Sequence, residues 1–407
     1  MPKPATTTLY IALRCSQCAR EHDRSVPQTV CSSCGGTLFC AYDLEEAKDG
    51  DLRERLVRRA PTLWRYRELL PVLDDANVVT LGEGFTPIDR LPRIAEDLAM
   101  GSLFLKDDGL IPTGTFKARG QTVAISKAKE LGITKVVLAS AGNAAGAMST
   151  YASRAGMEAH VFLPRDAPEM TKKECWQMNA KVHLVDGLIN DAGRMVASVK
   201  QREGWFDVST LKEPFRVEGK KTMGYEMAEQ RGWSLPDVIV YPTGGGTGLV
   251  GMWKAFGEME AMGWIGSERP RMVAVQSEGC APVVRAFSEG RVSIDQPFPN
   301  ASTIAAGIRV PFPYASEQII RVLRESGGTA TTVTDGAILE SMKRLGREGL
   351  MVCPEGAATL AGLARLLEEG WIDRDEDVVL YNTGSGLKYP ELIELPELEV
   401  LPKLPAP

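Results

Sequence analysis

Short apolar runs alternate with amphipathic segments through most of the chain. The apolar runs are continuous, as is typical of parallel strands buried on both faces, and lie at 103–106, 135–139, 159–163, 182–185, 205–208, 238–241, 272–276 and 378–381. Helical patterns separate many of them, at 121–131, 144–155, 169–179, 191–202 and 249–260. This alternation predicts open, mostly parallel α/β sheets, which bind ligands outside the carboxyl ends of their strands.

The same pattern divides the chain into five parts. A cysteine-rich module occupies 1–42, and 43–112 holds linker helices and the start of a large domain. We assign 113–205 to a small nested α/β domain, 206–395 to the large α/β domain and 396–407 to a proline-rich tail. The module therefore precedes two α/β domains, one nested in the other.

The composition of the chain argues against several functional classes. The 407 residues are 44% hydrophobic and 25% charged, as in soluble globular proteins, and a net charge of -6 gives no footprint for nucleic acid. We find no apolar run of 18 residues and no signal-peptide plan, so we expect a cytoplasmic protein without a membrane span. The three histidines, His22, His160 and His183, argue against a Ser-His-Asp hydrolase or a histidine-rich metal centre.

Two Cys-x-x-Cys knuckles, separated by twelve residues, stand near the amino terminus. Zinc binds four thiolates in a tetrahedron, and paired knuckles supply them, here Cys15, Cys18, Cys31 and Cys34. Redox chemistry is the alternative, but the duplication favours a closed metal site. Because basic residues do not cluster around the knuckles, we interpret the module as a structural cap and leave its zinc occupancy open.

The segment Pro112 to Gly120 places a lysine at the start of a predicted helix. A Pro-Thr-Gly turn comes first, and Lys117 then falls in the first helical turn. A cation is poorly placed there, because a helix N-terminus carries partial positive charge. Lys117 is therefore a candidate for work as a neutral amine or an imine nitrogen, the alternative being a surface lysine beside a turn.

Three loops follow predicted strands, where ligands are expected. The loop 140–144, Ser-Ala-Gly-Asn-Ala, lets backbone N–H groups approach an anion such as a carboxylate, and Asn143 adds a side-chain amide. The glycine-rich loop 242–248 opens a helix and forms a cup that suits a monophosphate, since it lacks the lysine of a nucleotide P-loop. The loop 381–388 places hydroxyl groups at a strand end.

Together these motifs resemble the fold-type-II pyridoxal-phosphate enzymes of the tryptophan synthase beta-like family, and among them the threonine synthases. The resemblance runs from about 81 to 390, and the double Cys-x-x-Cys is similar to a ribbon on some prokaryotic threonine synthases. It implies two open, mostly parallel α/β domains with the active site between them. It also implies pyridoxal 5'-phosphate as the cofactor and a small amino acid as the substrate.

The resemblance also implies residue roles. Lys117 would be the Schiff-base lysine, Asn143 the partner of the cofactor's ring hydroxyl, and Thr383 the hydroxyl that faces the pyridine nitrogen. The cofactor's phosphate would bind at Gly244, Gly245, Gly246 and Thr247. Substrate binding is expected from Thr113, Ser140, Ala141, Gly142 and Arg309.

We predict a carbon-oxygen lyase, first of all a threonine synthase, which converts O-phosphohomoserine and water to threonine and phosphate. Arg309 lies in a segment similar to one whose arginine helps synthases with the anionic substrate. However, Thr115 and Ala118 depart from the usual Ser-Phe-Lys-Asp-Arg-Gly, and 354–358 looks more like threonine/serine dehydratases.

The alternatives are therefore a dehydratase, another ammonia-lyase, a β-replacement enzyme or a non-catalytic ribbon-bearing binding protein. We further expect a homodimer, although no motif specifies the oligomeric state.

Overall fold

The computed structural model describes residues 8–48 and 50–401, so the ends of the predicted module 1–42 and tail 396–407 lie outside the described residues. The amino-terminal part forms a three-stranded antiparallel sheet in the order β2-β1-β3. Its strands are β1 (Tyr10–Cys15), β2 (Glu21–His22) and β3 (Leu38–Tyr42). Two short helices follow it, α1 (Leu44–Lys48) and α2 (Leu52–Leu56).

Strands and helices then alternate as the apolar pattern predicts. The elements in chain order are β4 (Ile88–Arg90), α3 (Pro92–Asp97), β5 (Ser102–Asp107), α4 (Lys117–Glu130), β6 (Lys135–Ala139), α5 (Asn143–Arg154), β7 (Glu158–Pro164), α6 (Glu169–Gln177), β8 (Lys181–Val185), α7 (Ile189–Glu203) and β9 (Phe206–Asp207). A parallel four-stranded sheet has the order β8-β7-β6-β9. Strand β9 extends this sheet two residues past 205, the predicted end of the small domain. The position of that domain boundary stays a prediction.

The remaining elements complete a larger sheet. They are α8 (Phe215–Gln230), β10 (Val238–Pro242), α9 (Thr247–Ala261), β11 (Arg271–Ser277), α10 (Pro282–Ser288), α11 (Ser316–Glu325), β12 (Thr329–Val333), α12 (Asp335–Arg347), α13 (Pro354–Glu368) and β13 (Asp377–Asn382). The sheet order is β12-β11-β10-β13-β5-β4, and only the edge strand β4 runs antiparallel. The expected α/β architecture with open, mostly parallel sheets is confirmed.

Strand β10 shows why its sequence is continuously apolar. Val238 and Val240 pack into the apolar layer on one face of the six-stranded sheet, whereas Ile239 and Tyr241 pack into the layer on the other face. A strand covered on both faces has no solvent side, so the alternation typical of half-exposed strands is absent. Within the described residues, no helix is both long enough and apolar enough to cross a membrane.

Helices α4 and α8 lie unusually close together, and two glycines permit this approach. A Cβ atom on Gly219 would overlap the carbonyl oxygen of Arg119, and one on Gly120 would lie 3.0 Å from the carbonyl oxygen of Arg216. Any larger residue would push the helices apart. The start of α4, which carries Lys117, therefore lies beside the start of α8.

Candidate active site

A cavity of about 590 Å³ is lined by loops that follow strands of both parallel sheets. The loop after β6 comes from the four-stranded sheet, and the loops after β10 and β13 come from the six-stranded sheet. The cavity brings together most of the predicted cofactor and substrate residues, namely Lys117, Ser140, Ala141, Gly142, Asn143, Gly244, Gly245, Gly246, Thr247 and Thr383. These segments are far apart in the chain, so the fold alone assembles them.

Lys117 is the first residue of α4, as predicted from the sequence. Its side chain is half-buried, with Nζ 4.0 Å from the centroid of the Phe116 ring. Burial, and then the charge of Arg216, lower the pKa of Lys117 to about 7, and Glu355 opposes this shift in part. A large fraction of Lys117 is therefore a neutral, nucleophilic amine near pH 7.

The end of β13 fixes the backbone just before Lys117. The amide of Phe116 donates to the carbonyl oxygen of Thr383 over 3.0 Å, and Ser385 N donates to the Gly114 carbonyl oxygen over 2.8 Å. The Thr383 hydroxyl lies 3.8 Å from Cys353 Sγ. Thr383 thus lines the cavity with its side chain and holds the lysine segment with its backbone.

The glycine-rich loop between β10 and α9 forms a close-fitting cup. Gly246 has a φ of +71°, which favours glycine, and the first turn of α9 begins immediately after it. A Cβ on Gly244 would lie 2.9 Å from the Gly307 carbonyl oxygen, and one on Gly245 would lie 3.0 Å from Thr210 Cγ2. Because the first N–H groups of a helix lack partners within it, the cup is suited to an anion such as a phosphate.

The loop after β6 carries the predicted carboxylate site. Ser140 Oγ accepts from the amide of Gly142 over 3.1 Å, which closes the turn ahead of α5. Asn143 is the first residue of that helix, and its Nδ2 donates to the Tyr389 hydroxyl over 2.9 Å. The loop is thus shaped by its own hydrogen bonds before any ligand binds.

Two predicted substrate residues, Thr113 and Arg309, are not among the residues that line the cavity. Thr113 has a φ of +71°, and its buried hydroxyl finds no hydrogen-bond partner among the described residues. The Arg309 guanidinium lies 3.0 Å from the Asp166 carboxylate, while its neighbours Ile308 and Val310 line the cavity. The structure therefore does not bring these two residues together with the others.

The cavity also contains basic residues that the sequence analysis did not single out. Arg216 is buried and donates to the Val208 carbonyl oxygen over 2.8 Å, but its Nε has no partner among the described residues. Buried Lys220 donates to the Phe116 carbonyl oxygen, with Nζ 3.6 Å from the Phe116 ring centroid. We call Lys117, Arg216 and Lys220 the cationic group.

Burial and then the charge of Lys117 lower the pKa of Lys220. Nothing in the sequence distinguishes Arg216 and Lys220 from surface residues, since both lie in a strongly charged stretch of α8. Glu355 also lines the cavity. The sequence does contain a signal for its position, because Pro354 directly before it is typical of the first residue of a helix and so places Glu355 in the first turn of α13.

The four cysteines of the amino-terminal module converge at a separate place. The sulfur atoms of Cys15, Cys18, Cys31 and Cys34 all lie within 4.8 Å of one another. Cys15 and Cys34 are separated by 3.5 Å, and Cys18 and Cys31 by 3.6 Å. Four thiols at these separations fit a tetrahedral ion with Zn–S bonds of about 2.3 Å.

Comparisons with known proteins identify the family to which the chain belongs. The chain is 39% identical over 380 residues to a threonine synthase from Methanocaldococcus jannaschii, covering 93% of each chain. It is 38% identical to a threonine synthase from Methanosarcina acetivorans, covering 94% of this chain and 93% of that protein. Among solved structures, maize serine racemase superposes with a TM-score of 0.66 at 24% identity, covering 81% of this chain and 94% of that one.

The family described as pyridoxal-phosphate-dependent enzymes matches residues 79–384, a range that contains every residue that lines the cavity. The family resemblance predicted from the sequence is thereby confirmed. This chain belongs to the pyridoxal-phosphate-dependent enzymes.

Proposed function

We propose that the protein is a threonine synthase, which eliminates phosphate from O-phosphohomoserine and adds water to give threonine. The observation that carries this proposal is the presence of two anion-binding features in one cavity. The glycine cup suits the phosphate of a cofactor, and Arg216 of the cationic group, together with Lys212 on the cavity wall, suits a second dianion. The named relatives, at 38% and 39% identity over most of the chain, support the same reaction.

The residues around Lys117 fit pyridoxal phosphate. Lys117 supplies an amine with a pKa of about 7, the cup at Gly244 to Thr247 supplies backbone N–H groups, and Asn143 and Thr383 supply polar groups on the cavity wall. When bound, this cofactor withdraws electrons from the α-carbon of an amino acid and makes its protons removable. The glycine cup has no room for side chains, because a Cβ on its glycines would collide with neighbouring atoms. This is expected where the backbone approaches a ligand closely.

The chain's own residues would then act as follows. Lys117 takes and returns protons at the substrate's carbon atoms, for which a pKa near the working pH is suited. The N–H groups of the loop 140–143 hold the carboxylate and so orient the bond that breaks. Arg216 binds the substrate phosphate and stabilises the charge on it as it leaves.

We assign the substrate phosphate to Arg216 ahead of Arg309, because only Arg216 lines the cavity, whereas Arg309 pairs with Asp166. The test compares Arg216→Met with Arg309→Met. For O-phosphohomoserine, the first should raise KM by about ten- to a hundredfold, since a charge-assisted hydrogen bond is worth about 1.5–3 kcal/mol. The second should change KM by less than about threefold.

Product analysis decides the reaction. Phosphate and threonine formed in equal amounts from O-phosphohomoserine support the proposal. Keto-acid and ammonia release from threonine or serine, without turnover of phosphohomoserine, would replace it with a threonine/serine dehydratase. The feature that favours this second candidate is Pro354-Glu355-Gly356 at the start of α13, where Glu355 lines the cavity.

We also propose that Cys15, Cys18, Cys31 and Cys34 bind one structural zinc ion. Their mutual separations support this, and the module lies on the enzyme body through contacts such as that of Tyr42 Oη with Glu218, 2.9 Å. Metal analysis of protein prepared without chelator should give about one zinc per chain. Cys31→Ser should lose the zinc yet keep its cofactor, whereas Cys175→Ser, at a buried cysteine outside the cluster, should keep both.

A homodimeric state and a cytoplasmic location are further proposals. All the described cysteines are free thiols, as is usual in reducing compartments. Light scattering on a size-exclusion column would measure the mass of the particle, and cell fractionation would give its location. A monomer, or recovery from an oxidising compartment, would contradict the respective proposal.

A further inference from the structure

A buried chain of polar side chains links the cavity wall to α13. Asn143 Nδ2 donates to the Tyr389 hydroxyl over 2.9 Å, and this hydroxyl donates to Glu355 Oε1 over 2.8 Å. The exposed fractions of Asn143, Tyr389 and Glu355 are only 9%, 3% and 3%. Neither Tyr389 nor Glu355 has a part in the proposed reaction, yet both are buried next to Asn143 in one chain of hydrogen bonds.

The chemistry of the three groups fixes the direction of these hydrogen bonds. A carboxylate can only accept, and a tyrosine hydroxyl has a single hydrogen. Burial, and then the charge of Glu355, raise the pKa of Tyr389, so the hydroxyl keeps that hydrogen. Because the hydrogen is used on Glu355, the hydroxyl oxygen must accept from Asn143, which therefore presents its NH₂ group to Tyr389.

Glu355 is itself held in place. Its Oε1 also accepts from the amide of Gly307 over 2.6 Å, and it lies in the first turn of α13, where the helix dipole favours a carboxylate. Its Oε2 is buried and has no hydrogen-bond partner among the described residues. The end of the chain of hydrogen bonds is thus a fixed negative charge on the cavity wall.

We propose that Tyr389 and Glu355 are positioning residues that hold the side-chain amide of Asn143 in one orientation. The inference rests on the proposed function, with Asn143 contacting the ring hydroxyl oxygen of the cofactor as the family resemblance implies. With Nδ2 directed to Tyr389, the amide cannot exchange its NH₂ and carbonyl ends by rotation. Without Tyr389, rotation would place the carbonyl oxygen against an electron-rich cofactor oxygen for part of the time, which weakens binding.

The test is a double-mutant cycle on the complete protein, with the cofactor dissociation constant and the pH titration of the cofactor's visible absorbance as readouts. Tyr389→Phe should weaken cofactor binding by about tenfold and displace the titration midpoint, because one oriented hydrogen bond is worth about that much. In an Asn143→Ala background the same change should add nothing. Tyr151→Phe is the matched control, because Tyr151 lies on the same helix α5 and donates to Glu83 over 2.6 Å.

Two variants of Glu355 test the other end. Glu355→Gln keeps an acceptor oxygen for Tyr389 and Gly307 and should hold the dissociation constant within about twofold, whereas Glu355→Leu should weaken it as Tyr389→Phe does. These variants also decide the question if Tyr389→Phe does not fold.

The outcomes separate the two proposals. If Asn143→Ala weakens binding but Tyr389→Phe and Glu355→Leu do not, the positioning role is overturned and the contact of Asn143 stands. Additive effects of Tyr389→Phe and Asn143→Ala would also overturn it, since Tyr389 would then act by another route. An Asn143→Ala variant with unchanged binding would instead remove the proposed contact of Asn143 with the cofactor.

Discussion

Helices α4 and α8 contribute to two groups of buried charges that differ in balance, and strand β5 and the residue after it complete the first group. In the first, which we call the paired cluster, the side chains of Lys106, Asp108, Arg119 and Glu226 are fully buried. Arg119 Nε is 2.7 Å from Asp108 and its Nη1 is 2.5 Å from Glu226, while Lys106 Nζ is 3.0 Å from Glu226. Two cations and two anions thus neutralise each other.

The cationic group, at the start of the same two helices, forms no ion pair of this kind among the described residues. Glu213, the acid whose charge acts most strongly on Arg216, accepts from the backbone amides of Phe215 and Arg216 over 2.8 Å, and burial raises the pKa of Glu213 to about 7. By contrast, Arg119 and Lys106 overcome burial and lower the pKa of Glu226 to about 2.

A balanced buried cluster needs no ligand, whereas an unbalanced one is stabilised when an anion binds. We therefore expect the paired cluster to contribute mainly to stability and the cationic group to bind an anion.

The largest expected effect is that of Lys117→Ala. Removing the amine should abolish covalent attachment of the cofactor and lower kcat by about 10²–10⁴-fold, the usual contribution of a proton-transfer group. Borohydride reduction followed by mass spectrometry checks the attachment. Lys129→Ala, on the exposed side of α4, should remain fully labelled. A labelled, active Lys117→Ala would remove the lysine from the mechanism.

Next in size is the effect of Arg119→Met on stability. The change leaves Asp108 and Glu226 buried without their main partner and should lower the free energy of unfolding by about 3–5 kcal/mol. Arg216→Met, measured without cofactor or phosphate, should cost less than about 1 kcal/mol, because Arg216 has few anionic partners. Urea titration measures both variants. Equal losses of unfolding free energy in the two variants would show that the paired cluster and the cationic group contribute equally to stability.

The pH dependence of cofactor attachment tests the lowered pKa of Lys117 in the cationic group. With the pKa of Lys117 lowered to about 7, the neutral fraction of Lys117 rises almost tenfold per pH unit well below pH 7, more slowly around pH 7, and levels off above it. The attachment rate, followed by stopped-flow absorbance at a fixed cofactor concentration, should increase about tenfold from pH 6 to pH 8. A rate that still rises steeply at pH 9 would mean that the lysine keeps an ordinary pKa.

The smallest expected effect is the stabilisation by inorganic phosphate. Free phosphate at several times its Kd should stabilise the cofactor-free protein by about 1 kcal/mol. Part of this stabilisation by phosphate should disappear in Arg216→Met. The Arg119→Lys variant should be less stable than the wild type but should still be stabilised by phosphate to the same extent. Thermal unfolding at several phosphate concentrations gives both numbers. The same gain in wild type and Arg216→Met would assign the phosphate to the glycine cup alone.

The sequence predicted what is local in the chain. The start of α4 at Lys117, the glycine loop and the cysteine knuckles each lie within a few consecutive residues, so spacing and residue type suffice to identify them. Arg216 was missed because its burial results from α8 packing on α4, a contact between distant segments. The pairing of Arg309 with Asp166 likewise depends on tertiary structure, because the two residues are far apart in the chain.

The hydrogen bond between Phe116 and Thr383 has a mechanical consequence. Through it, Lys117 is attached to the end of a strand of the six-stranded sheet, which also carries the glycine cup. The loop 140–143 is attached to the four-stranded sheet instead. A rotation of one sheet against the other would therefore keep the distance from lysine to cup constant and change only the gap that a substrate carboxylate must bridge. In such a rotation the Lys117 amine and the cup would keep their relative position, and the loop 140–143 would be the part that approaches them or withdraws.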